Sequence, residues 1–122
     1  MKSLSACASL ENVSNAAAVA EPGDVIVIEI QCFAGPPAPH PCEYDPAIFA
    51  TGQAATANGV HVFAAAGNGS HDLDAAVYGG AFDLAVRDSG AVLVGASDGN
   101  LLGKASFSNH GSWVEVAAPR AR

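Results

Sequence analysis

Basic residues are scarce: Lys and Arg number five in 122 residues, against twelve Asp and Glu, for a net charge of −7. No face can be lined with cations, which excludes the phosphate-neutralising patch that a nucleic-acid partner requires. Long apolar runs are missing too. Val25 to Ile30, with Glu29 inside it, falls far short of the roughly 20 residues of a membrane span, so no membrane partner is expected. No apolar leader stands between Lys2 and Cys7. Leu4-Ser5-Ala6-Cys7, although shaped like a lipoprotein cleavage box, therefore reads better as a truncated start or the surroundings of an internal Met. There is no Gly-rich phosphate loop and no internal repeat. Charged residues make up only 14% of the chain and apolar ones 50%, which excludes wholesale disorder and leaves one packed domain or part of one.

What is present reads as alternating strands and helices. Ser9 is placed to cap a helix whose apolar positions Val13, Ala16, Ala17 and Ala20 follow helical spacing, and Glu21-Pro22-Gly23 stops it. Asp24 to Gln31 reads as a strand apolar on both faces, the pattern of a strand inside a parallel sheet. Cys32 to Glu43 carries four prolines and is expected to hold no regular element. Asp45-Pro46 opens a second helix, with Ile48, Gly52 and Ala55 on one side and Phe49 beside them, and Asn58-Gly59 ends it. Val60 to Ala66 is a second strand that runs into Gly67-Asn68-Gly69. A long loop from Gly69 to Gly90 is expected to form a helical turn near Ala81 to Val86, and Ala91 to Ala96 is a third strand. Ala105 to Asn109 and Ser112 to Ala117 read as two short strands around a turn at His110-Gly111. The fold class is α/β: a partial parallel sheet with flanking helices and no second domain.

Parallel sheets bind ligands beyond the carboxyl ends of their strands. Glu29 to Cys32, Gly67 to Asp74 and Ser97 to Asn100 project there, which directs attention to Asn68. An Asn between two glycines also suits an ordinary turn. Ser70-His71-Asp72 imitates a triad in order only, because three consecutive residues cannot set a base between nucleophile and carboxylate. Asp72 and Asp74 are ligands of the kind calcium takes, but two are too few for a site; a solvated acidic loop is the simpler reading. Cys32, His40 and Cys42 match no standard zinc spacing, and a fourth ligand is missing, so no metal is assigned. A Cys32–Cys42 disulfide pinning the Pro-rich loop is one expectation and two free thiols the other. Glu29, the odd residue of its strand, either turns toward a polar cleft or is paired.

Gly59-Val60-His61-Val62-Phe63-Ala64-Ala65-Ala66-Gly67-Asn68 resembles the strand and oxyanion loop of the subtilisin-like serine peptidases. Asp24 to Gln31 resembles the preceding strand, Ser89 to Ala96 the following one, and Ala105 to Gly111 with Val114 to Pro119 the segment leading to the nucleophile. The resemblance covers about residues 10 to 119, four pieces in the right order. It implies a subtilisin-like fold and, for the chain at 1–122, part of a catalytic domain. The family's aspartate and histidine motifs would precede residue 10 and its serine motif would follow Pro119; none is in this chain. The cleft strand usually ends Ser-Leu-Gly, where this chain has Glu29-Ile30-Gln31, and Gly is usual where Arg120 stands.

The resemblance implies a serine endopeptidase that hydrolyses peptide bonds through an acyl-enzyme, with a peptide or protein substrate and no cofactor. Asn68 would donate its amide to the oxyanion. The backbone of Ile30 to Cys32 would pair with an extended substrate, Ala66 and Gly67 would line the cleft, and Glu29 would favour basic side chains. This chain alone is expected to be inactive and to self-associate through unpaired sheet edges. Nothing in it fixes the compartment, although an exported parent is compatible with it. The competing reading is an inert remnant or binding module that keeps the α/β fold without the chemistry.

Overall fold

The computed structural model describes residues 2–4, 10–35, 37–99 and 103–119, with the backbone alone for 2–4 and 116–119. Five strands, β1 (Lys2–Leu4), β2 (Val25–Ile28), β3 (His61–Ala65), β4 (Val92–Ser97) and β5 (Val114–Pro119), form one sheet in chain order. Every neighbouring pair is parallel; Ile26 pairs with Val62 and Ala64 with Leu93. Helix α1 (Leu10–Val19) links β1 to β2, and α2 (Pro46–Ala57) links β2 to β3. Crossovers of one hand that always step the same way along a sheet put their helices on one face. In agreement with that, α1 and α2 touch each other.

Alternation along the strands decides what that face buries. Ile26, Ile28, Val62, Ala64 and Leu93 pack against Val13 and Ala16 of α1 and Ile48, Phe49 and Ala55 of α2. Val25, Val27, Phe63, Val92 and Val94 point to the other face and are only half-buried, since both described helices lie opposite. Helix α2 starts where the sequence places it: Asp45 Oδ1 accepts from the N–H of Ala47 at 2.8 Å and Pro46 occupies the first turn. It stops at Asn58, whose N–H bonds Ala54 and Ala55. Among the described residues no helix is long and apolar enough to cross a membrane.

The structure departs from the sequence reading at three places. Besides a single turn at 83–87, where Asp83 O accepts from the N–H groups of Val86 and Arg87 at 2.9 Å near the expected Ala81 to Val86, the long loop forms a 3-10 turn at Ala76–Tyr78 that the sequence reading did not place. Tertiary contacts fix it there: the Tyr78 hydroxyl donates to Pro37 O at 2.8 Å, and its ring meets Phe82 at 5.2 Å, beside Tyr44 and the buried Trp113. Ala105 to Asn109 is a turn closed by Ser108 N–H on Ala105 O at 3.0 Å, so of the two expected strands the described residues form one, β5, which pairs with β4. The Pro-rich loop is not wholly irregular, because it ends in a 3-10 turn at Cys42–Tyr44. Strand β1 went unread in the sequence, and the Ser9 cap lies outside the described residues.

Of the two cysteine states the disulfide is the one formed. Cys32 and Cys42 are bonded with their Cα atoms 5.0 Å apart, and the Cys32 and His40 backbones bond each other reciprocally at 2.8 and 2.9 Å. A cross-link closing so short a loop stabilises by about 3 kcal/mol, chiefly by restricting the unfolded chain. Replacing both cysteines by Ser should lower the urea midpoint accordingly. An unchanged midpoint would mean that the loop is held by its hydrogen bonds alone.

Candidate functional site

The sheet brings Glu29 to Cys32, Gly67 to Asp74 and Ser97 to Gly99 to one edge, at and beyond the carboxyl ends of β2, β3 and β4; Asn100 lies outside the described residues. Asn68 sits three residues past the last residue of β3 and is exposed. Its backbone N–H donates to Gln31 Oε1 at 2.8 Å, which ties the end of β2 to the tip. The next three N–H groups are also spent: those of Gly69 and His71 on Asn109 Oδ1, at 3.0 and 2.8 Å, and that of Ser70 on Phe107 O, at 2.9 Å. From Asn68 to His71 no main-chain donor is left over. The Asn68 side-chain amide, by contrast, bonds none of the described residues. The tip therefore presents one uncommitted amide on a backbone whose own donors face inward.

The other expected residues fall unevenly around it. Ala66 and Gly67 are buried, and Asn109 occupies their carbonyl oxygens, so they form the base of the tip and present no surface. Glu29 is exposed; Ile30 and Gln31 are half-buried. The Cys42 sulfur lies 3.9 Å from Ile30 O but, as half of a disulfide, has no proton to donate, and no backbone loop bond among the described residues engages Ile30 or Gln31. Cys32 differs, because its N–H and C=O are both taken by His40. Strand pairing with an added peptide is therefore left to Ile30 and Gln31.

Ser70, His71 and Asp72 do not converge. The Ser70 hydroxyl donates to Ser106 O at 2.6 Å, and Ser70 adopts a left-handed φ of 55°. His71 Nε2 stands 3.1 Å from Ala38 O, and Asp72 Oδ1 accepts from the N–H of Asp74 at 2.9 Å. Asp74 accepts from the N–H and hydroxyl of Ser112 at 2.9 and 2.8 Å. These carboxylates tie loops together. Among the described residues no three His, Cys, Asp or Glu side chains gather as a metal site, and the disulfide removes both thiolates from the zinc alternative.

Two residues of consequence received no role from the sequence. Asn109 is buried at the root of the tip. Glu43, in the 3-10 turn that begins at Cys42, is fully buried, and neither carboxylate oxygen accepts a well-formed hydrogen bond from the described residues. Burial pushes its pKa up to about 7; the Ser89 hydroxyl and then the charge of the Arg87 guanidinium pull it back less. A cavity of 540 Å³ lined by Gln53, Thr56, His61, Phe63, Asp88 and Val92 lies at the amino ends of β3 and β4, away from the edge where parallel sheets build their sites.

No protein-family model matches the chain, and no curated protein matches it.

Proposed function

We propose that this chain is the central-to-late section of a subtilisin-like serine endopeptidase domain, and that its part in the reaction is to supply one hydrogen-bond donor, the Asn68 amide, to the oxyanion. The uncommitted Asn68 amide at the carboxyl edge of the sheet carries this reading, because the neighbouring donors are spent on holding the tip. A serine activated by histidine, both from segments outside residues 1–122, attacks the scissile carbonyl, and its proton passes to the histidine. Negative charge then gathers on the carbonyl oxygen, where Asn68 donates. The substrate lies extended along Ile30 and Gln31, and the Glu29 carboxylate beside them favours basic side chains.

A fluorophosphonate reagent tests the assignment. The isolated chain should stay unlabelled, since its Ser70 and Ser108 hydroxyls donate to backbone carbonyls and have no base. Expressed with its flanking genomic sequence, the protein should be labelled stoichiometrically on one serine outside residues 1–122. Labelling of Ser70 or Ser108 would overturn the reading. Flanks without aspartate, histidine and serine motifs would leave an inert α/β module.

A further inference from the structure

We propose that Asn109 is the positioning residue of the Asn68 tip: one buried side chain clamps the backbone on both sides of Asn68 and ties it to the disulfide-bonded loop. Its Oδ1 accepts from the N–H groups of Gly69 and His71. Its Nδ2 donates to Ala66 O at 2.8 Å and to Pro39 O at 2.9 Å. Its main-chain N–H donates to Gly67 O at 2.8 Å. Both donors and both acceptor positions of the amide are used, and at 1% exposure water does not compete for them. The orientation is fixed, because a flipped amide would set its NH₂ against two N–H groups and its oxygen against two carbonyls.

These bonds converge on residues 66, 67, 69 and 71 and leave out Asn68's own side chain, as a brace for that side chain requires. Gly67 makes the approach possible. Its φ is +100°, and a Cβ there would lie 2.6 Å from Asn109 Nδ2, so a side chain directly before Asn68 would push the brace away. The remaining bond, to Pro39, reaches the loop closed by Cys32–Cys42. The same loop meets His71 through Ala38 O and Tyr78 through Pro37 O. Loop and tip thus share Asn109 and His71, and a disturbance of one reaches the other.

The assignment rests on the reading of Asn68 given above, but amide exchange needs no turnover, so the two can fail separately. Hydrogen exchange followed by NMR on this chain is the test. In Asn109→Ala the Gly69 and His71 amides should exchange about tenfold faster relative to Val62 and Leu93 in the strands, as expected for a lost hydrogen bond. The side-chain amide resonances of Asn68 should move with them. Asn109→Asp keeps the acceptor and loses the donors. It should restore protection at Gly69 and His71 while speeding exchange of the His40 N–H, which the loop holds on Cys32 O. Equal acceleration of every amide, no change at Gly69 and His71, or identical behaviour of the two variants would overturn the proposal. Should Asn109→Ala fail to fold, the split between tip and loop in Asn109→Asp decides alone.

Discussion

Replacing Glu43 with Gln should stabilise this protein at pH 8 relative to its stability advantage at pH 4, by about 3 kcal/mol. That figure is the shift from the ordinary value of 4.5 to about 7, at 1.36 kcal/mol for each pKa unit. The carboxyl is shut in by its surroundings. Gly52 of α2 backs it so closely that a Cβ there would stand 3.3 Å from Oε1, and the Arg87 guanidinium donates to the Glu43 carbonyl, not to the carboxylate. Arg87 also lies 4.0 Å over the ring of Phe49, and its charge favours the carboxylate less than burial disfavours it.

A folded-state pKa above the unfolded one fixes the sign. Below pH 4.5 the group is protonated in both states and costs nothing. Between 4.5 and about 7 the unfolded chain releases its proton while the folded one keeps it, so stability falls as pH rises. Above 7 the penalty is constant. Gln carries no charge at any pH, so its difference from the wild type should grow across that window and level off beyond it. Urea unfolding of both proteins at half-unit intervals measures this. Parallel curves would show that Glu43 does not titrate in the window.

Sequence signals were strong where they were local. The Asp45 cap, Pro46 and the Asn58-Gly59 stop bound α2 because each acts within one helical turn, and the apolar runs of β2, β3 and β4 carry their own burial pattern. The misread elements depend on distant partners. Ala105 to Asn109 has strand-like alternation, but Asn109 is drawn into the tip by partners 38 to 70 residues away in the chain. Tyr78 similarly fixes a turn through Pro37, 41 residues earlier. Glu43 stands in a Pro-rich segment where a charged residue is ordinarily solvated, and tertiary packing, with Gly52 of α2, Ser89 and Arg87 close by, buries it. Asn68 could be singled out from its place after a strand, whereas the commitment of the donors around it needed the fold.

In the catalytic domain proposed here, with the triad segments present, Asn68→Ala should lower kcat by about 10²–10³-fold, or ~2.7–4 kcal/mol, and leave KM nearly unchanged. The bond to the substrate oxygen strengthens only as that oxygen becomes charged, so its removal weakens the transition state more than the Michaelis complex. The tip offers no replacement. The N–H groups of residues 68 to 71 are held by Gln31, Asn109 and Phe107, and swinging one outward would break a bond that anchors the loop. Loss of the fold will not imitate this effect, because an exposed side chain bonded to no described residue should change stability by no more than about 0.5 kcal/mol. Asn68→Asp sharpens the comparison: it keeps the size of the side chain, removes both donors and places a carboxylate against the developing oxyanion, so its kcat should fall below that of the alanine variant. Steady-state constants for the three proteins, with their unfolding midpoints, decide the matter. A loss confined to KM, or equal activity in all three, would make Asn68 a turn residue between two glycines and would leave the oxyanion to another donor.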